Sequence, residues 1–72
     1  SNKKLNNLYK TARENGVLGG KILGAGQSGY LLIYVDSKYQ TNLLAKLRKK
    51  SSKLEFERVS FSSDGLKYWK IY

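Results

Sequence analysis

Gly19-Gly20-Lys21-Ile22-Leu23-Gly24-Ala25-Gly26-Gln27-Ser28-Gly29-Tyr30 runs straight into Leu31-Leu32-Ile33-Tyr34-Val35. Five of the seven glycines of the chain fall inside the first twelve of these positions. Glycine serves where the backbone takes a positive φ or comes close to another group, and elsewhere it costs conformational entropy. A glycine cluster held between apolar runs is therefore a shaped loop rather than a linker. The order Ile-Leu, Gly-x-Gly-x-x-Gly, Leu-Leu-Ile-Tyr-Val reads as strand, tight loop, strand. Residues 21–24 begin the first strand, with Val17 and Leu18 as a short apolar connection before it and Gly19-Gly20 as a turn. Residues 30–35 are six apolar or aromatic residues in a row. That run is too short for a buried helix and rich in β-formers, so it reads as a central strand covered on both faces.

Upstream of the loop, Leu5, Leu8, Tyr9 and Ala12 fall at i, i+3, i+4 and i+7, one face of a helix over residues 1–15. Ser1 or Asn2 can cap its start, and Gly16 after Asn15 is the place for a left-handed C-cap. Downstream, Asp36-Ser37 end the central strand and offer an N-cap for a second helix over 37–50. Its apolar stripe is Tyr39, Leu43, Leu44 and Leu47. Lys46, Arg48, Lys49 and Lys50 crowd its last turns, where cations interact favourably with the helix dipole. Residues 54–62 and 66–72 read as strands around Ser63-Asp64-Gly65, because Asp-Gly between β-rich runs is a strong hairpin signal. Leu54 and Phe56 share one parity and Val59 and Phe61 the other, which a bulge near Glu57-Arg58 would reconcile. The order is αββαββ. It predicts an α+β, ferredoxin-like sandwich: a four-stranded, mostly antiparallel sheet with both helices on one face and the other face left for a partner or for water.

Seventy-two residues make one domain at most, with a small core. The chain has no cysteine and no histidine, which removes disulfide staples and the usual soft metal ligands. It has no methionine either, so it is expected to be a piece of something longer. Fourteen Lys and Arg against five Asp and Glu give a net charge of +9. A basic balance of that kind is either a solvated surface or a partner surface for nucleic acid, anionic lipid or a phosphorylated molecule. No apolar run approaches the ~20 residues of a bilayer span, and no signal peptide is visible. The absence of cysteine fits the cytosol.

Gly24-x-Gly26-x-x-Gly29 taken alone is a weak signal. A dinucleotide-binding turn needs a helix to begin at the loop, and here a strand follows. The glycine loop of protein kinases does join two strands, and Leu44-Ala45-Lys46 imitates the lysine motif that follows it there. That lysine must lie on a strand, whereas Lys46 falls inside a helix, and the downstream catalytic Asp motifs are absent. The five acids, Glu14, Asp36, Glu55, Glu57 and Asp64, are scattered, and Asp36 and Asp64 are explained as cap and turn.

One longer pattern is more specific. Ala12-Arg13-Glu14-Asn15-Gly16-Val17-Leu18-Gly19-Gly20-Lys21-Ile22-Leu23-Gly24-Ala25-Gly26, followed by the apolar strand, resembles the third conserved motif of the GHMP kinases. Within that superfamily the wording is most similar to sugar kinases acting on D-glycero-D-manno-heptose 7-phosphate. The later hairpin, residues 56–72, is similar to their C-terminal end. The family loop usually continues with glycines where this chain has Gln27 and Ser28.

The resemblance implies a C-terminal, ferredoxin-like domain of an ATP- and Mg2+-dependent, cytoplasmic sugar-phosphate kinase. It implies a separate N-terminal domain that carries the ATP-cradling loop and the residues acting on the acceptor. It also implies that Gly24, Ala25, Gly26, Gln27, Ser28 and Gly29 line the active-site cleft, with Lys21 beside them as an anion contact. The ordinary alternative for Lys21 is a solvent lysine or an ion pair. A fragment of this kind is expected to hold no catalytic residue and no metal, to be inactive alone, and to self-associate through its exposed sheet or docking face. The competing reading is a small basic module that stacks nucleic-acid bases on Tyr68, Trp69 and Tyr72 between Lys67 and Lys70.

Overall fold

The computed structural model describes residues 3–24, 29–59 and 65–72. The elements are α1 (Lys3–Glu14), β1 (Val17–Leu23), β2 (Tyr30–Asp36), a short 3-10 turn (Ser37–Tyr39), α2 (Gln40–Lys50), β3 (Phe56–Val59) and β4 (Leu66–Ile71). The order αββαββ is the one expected, and the fold is α+β with a single four-stranded sheet in the order β1-β2-β4-β3. All three strand pairs are antiparallel. Since β4 opposes both β2 and β3, those two strands run parallel with β4 between them. The unit β2-α2-β3 is thus a split crossover, which is what gives the sandwich its ferredoxin-like topology.

The period of β2 places the core. Leu31, Ile33 and Val35 alternate with Tyr30, Leu32, Tyr34 and Asp36, and the first three are completely buried. Paired positions share a face, so Ile22, Leu31, Ile71 and Phe56 form one row beneath the helices. From above, α1 contributes Leu5, Leu8 and Ala12, and α2 contributes Leu43 and Leu47. Leu54, just ahead of β3, closes the end of the same core. Full burial of a Leu or Ile side chain is worth about 1.5–3 kcal/mol relative to exposure, so these residues hold two layers together without staples.

The ends of the elements follow local chemistry. Gly16, two residues past the end of α1, takes φ +95, and the Asn15 side chain donates to the Thr11 carbonyl at 2.7 Å. Asp36 caps the 3-10 turn, its carboxylate accepting from the Lys38 backbone N–H at 3.1 Å. The second helical segment therefore starts as a 3-10 turn and becomes α-helical only at Gln40. Tyr39, expected in its apolar stripe, falls in that turn and is exposed, whereas Leu43 and Leu47 are buried as expected. Gly65 takes φ +84 at the start of β4, and its carbonyl accepts from the Ser37 N–H. Ser1, Asn2 and Asp64, assigned to a cap and a turn, lie outside the described residues.

Two expectations are corrected. Gly19 and Gly20 are not a turn, and Val17 and Leu18 are not a connection: all four belong to β1. The irregularity sits between Val17 and Gly19, where the register shifts and Leu18 is left largely exposed. Glycine is needed at 20, where backbone comes too close for a Cβ, while at 19 a Cβ would have to push a side-chain ring aside. At Gly19 the obstacle is the Tyr34 phenol ring, and at Gly20 it is the Leu32 carbonyl, with the Ile33 Cα only 3.0 Å away. Second, the β3–β4 ladder runs without a shift from Phe56↔Ile71 to Val59↔Tyr68, so there is no bulge at Glu57-Arg58. The two parities serve the two faces of the strand: Phe56 pairs with Ile71 under the helices and Val59 with Tyr68 on the other side, while Phe61 lies outside the described residues.

Gly20→Ala is expected to destabilise the fold by about 1–3 kcal/mol in chemical denaturation, the cost of forcing a methyl group against a backbone carbonyl. An unchanged midpoint would mean that the strand gives way there and that the close packing of β1 on β2 is not required.

Candidate functional site

The glycine loop joins β1 to β2 across one end of the sheet. Leu23 and Tyr30 are the last paired residues before it. Gly24 opens the loop with φ +92, a conformation side chains rarely adopt. At Gly29 an added Cβ would lie 2.8 Å from the Leu23 carbonyl oxygen and 3.1 Å from Cδ1 of Leu5 on α1. Gly29 thus lets the returning chain pass close beneath the first turn of the helix. Ala25, Gly26, Gln27 and Ser28, assigned to the same loop, lie outside the described residues.

Lys21 is exposed on β1 opposite Leu32. It points to the face of the sheet away from the helices, where it lines a shallow cavity of about 280 Å3 with Gly20, Leu32, Tyr34 and Tyr68. The rest of that face is aromatic. The Tyr34 and Tyr68 rings lie 5.6 Å apart, and the Lys70 ammonium sits 4.4 Å from the Tyr30 ring centre and 5.3 Å from that of Tyr72. Tyr30 directly follows the loop, so this lysine–tyrosine stack stands beside it. The sequence reading gave Tyr30 no role; alternation along β2 and β4 was the signal that could have paired it with Lys70.

The face also settles the aromatic hairpin. Trp69 does not share a face with Tyr68 and Tyr72. Its position pairs with Ile33, under the helices. There its indole N–H donates to the Gln40 side-chain oxygen at 3.2 Å, and its ring meets Phe56 edge-on at 6.5 Å. Tyr68 and Tyr72 point the other way. The three rings do not form one stacking platform, because consecutive strand residues alternate between faces.

Tyr72 donates a hydrogen bond from its hydroxyl to Glu57 Oε1 at 3.0 Å. That bond, and then the negative charge behind it, favour the neutral phenol and raise the Tyr72 pKa above the ordinary tyrosine value. Among the described residues no group of three or more His, Cys, Asp or Glu comes together to hold a metal ion. No helix among the described residues is long and apolar enough to cross a membrane.

Over 71 residues the chain is 38% identical to the D-glycero-alpha-D-manno-heptose 7-phosphate kinase of Campylobacter jejuni. The match takes in 99% of this chain and 20% of that enzyme, so the chain spans about one fifth of the length of the curated relative it matches. It corresponds to a C-terminal fragment of this GHMP-family kinase, as the third-motif resemblance implied. No family model matches the chain, and no solved structure does.

Because the folded-state pKa of Tyr72 is raised, its contribution to stability is present below the ordinary tyrosine value of ~10 and is lost as pH rises through the folded value. Glu57→Gln removes the charge and should bring Tyr72 back toward the ordinary value in an NMR titration of its ring carbons. A titration curve identical to that of the unaltered chain would show that the Tyr72–Glu57 bond does not persist in solution.

Proposed function

We propose that residues 1–72 form a single domain, the C-terminal part of an ATP-dependent sugar-phosphate kinase acting on a heptose 7-phosphate. The observation that carries this reading is the near-complete match of the chain to one segment of the heptose phosphate kinase. In this reading Gly24, Ala25, Gly26, Gln27, Ser28 and Gly29 border the cleft between this domain and an N-terminal domain that binds ATP and Mg2+. Phosphoryl transfer depends chiefly on positioning and electrostatics, so a loop that braces the phosphate-binding side contributes without itself carrying out chemistry. Backbone N–H groups around Gly24 present partial positive charge to anionic oxygens, and Lys21 adds a full one. ATP, when bound, supplies the transferable phosphoryl group. This segment's part is to shape one wall of the site and exclude water from it. The fragment is inactive alone, and its parent works in the cytoplasm.

The nucleic-acid reading loses its main support with Trp69 turned into the core side of the sheet.

A chimera tests the kinase reading. The matching fifth of the Campylobacter enzyme is replaced by these 72 residues, and ATP turnover dependent on heptose 7-phosphate is measured. The chimera should be active, and Gly29→Val in it should lower kcat by about tenfold or more while KM for ATP moves less, as expected when positioning at the reacting phosphoryl group is lost. A folded chimera with no turnover would overturn the proposal, as would an isolated 72-residue chain that phosphorylates the sugar by itself.

A further inference from the structure

The charge of the chain is not spread evenly. Helix α1 carries Lys3, Lys4, Lys10 and Arg13 against Glu14, and α2 carries Lys46, Arg48, Lys49 and Lys50 against no acid. The two helices thus hold seven of the nine net positive charges. The cations in the last turn of α2 are accounted for by its dipole, which favours them there. Those at the start of α1 are not. Lys3 and Lys4 stand in its first turn, which holds no acidic residue, at the end where the dipole disfavours a cation. Their placement is not explained by the helix itself.

Several of these cations share a groove. Between α1 and the end of α2 lies a groove of about 470 Å3, within the size range of small-molecule sites. Lys4 and Lys10 border it from α1, and Lys50 borders it from α2. Asn7, Thr11 and Ser51 add neutral hydrogen-bonding groups, and Leu8 is its one apolar contributor. Glu14 also lines it. A carboxylate repels a bare phosphate but accepts hydrogen bonds from hydroxyls. Three ammonium groups, one carboxylate and an amide are therefore the complement of a ligand with both a phosphate and several hydroxyl groups.

From this we infer that the groove between α1 and α2 is a binding site for a small polyhydroxylated phosphate, a sugar phosphate by chemical class. Lysines hold the phosphate as point charges, and Glu14 and Asn7 select for the hydroxyls. The site is separate from the glycine loop and from Lys21, which lies on the opposite face of the sheet. It stands on the groove and the charge alone, so an inactive kinase chimera would leave it untouched. Because Leu5 of α1 touches the position of Gly29, a ligand seated against the first turn of α1 also bears on the packing beneath the loop.

The test is an NMR titration of the 72-residue chain with mannose 6-phosphate, inorganic phosphate and mannose in turn. Mannose 6-phosphate should shift the amides of Lys4, Asn7, Thr11, Lys50 and Ser51 to saturation. Inorganic phosphate should bind more weakly, and mannose not at all. Lys4→Gln with Lys50→Gln should weaken binding by about tenfold or more, the loss expected for two charge-assisted contacts. Lys46→Gln with Lys49→Gln removes the same charge outside the groove and should change it by less than about twofold. Glu14→Gln should narrow the gap between mannose 6-phosphate and phosphate. Equal losses from the two lysine pairs would overturn the site in favour of diffuse attraction. Shifts centred on Gly19 to Gly24 would move the anion to the glycine loop. Tight, steeply salt-dependent binding of a short oligonucleotide with no response to mannose 6-phosphate would replace the small ligand by nucleic acid.

Discussion

Strand β2 must do two things at once, and the remaining architecture answers to both. It pairs along both edges, with β1 on one side and β4 on the other, and it buries Leu31, Ile33 and Val35 completely on one face. Pairing along both edges satisfies its backbone groups, which could not otherwise be removed from water without cost. Burial on a single face then requires a helical layer above that face alone. Two helices of twelve and eleven residues suffice, because Leu5, Leu8, Ala12, Leu43 and Leu47 all meet the same short patch. The split crossover through α2 follows from this: β3 has to reach the far edge so that β4 can return into the place beside β2.

Much of that was legible from period alone. The spacing of Leu5, Leu8 and Ala12 and of Leu43 and Leu47 identified the buried helix faces, and the apolar run at 30–35 identified the central strand. Where the reading went wrong, the deciding groups were distant in sequence. A Gly-Gly pair looks like a turn when only its neighbours are considered, and nothing near residue 19 announces that the Tyr34 ring will lie over it. The expected bulge failed for a related reason. Parity was counted as though both apolar sets belonged to one face, whereas Phe56 pairs with Ile71 under the helices and Val59 with Tyr68 on the other side. Tyr39 was assigned to a helical stripe because a periodic count does not distinguish a 3-10 turn from the α-helix it precedes.

The candidate site was legible to a different extent. Glycine spacing located the loop, and the structure gives Gly24 and Gly29 distinct duties, an unusual backbone angle at one and a close crossing at the other. The role of Lys21 was less accessible, since strand parity had to be known before its face could be. The same parity separates Trp69 from Tyr68 and Tyr72, a separation that composition conceals. Aromatic residues in series suggest one platform, yet on a strand they serve two surfaces.

Those two surfaces differ in the kind of partner they suit. The sheet face has satisfied much of its own polarity: Lys70 lies against two tyrosine rings and Tyr72 is tied to Glu57. The helical face has done so only in part: Arg13 lies over the Tyr9 ring and Arg48 over Phe56, while Lys4, Lys10 and Lys50 border the groove. Like charges gathered on two adjacent helices repel one another, and the compact state bears that cost while the unfolded chain relieves it. An anion held between the helices removes part of the repulsion only in the folded state, so its binding energy adds directly to folding stability. In a chain this short, whose core is small by necessity, such a contribution carries more weight than in a large domain. On the proposed reading the lysines of α1 and α2 are one half of an interaction, and the groove between the helices is where an anion supplies the other half.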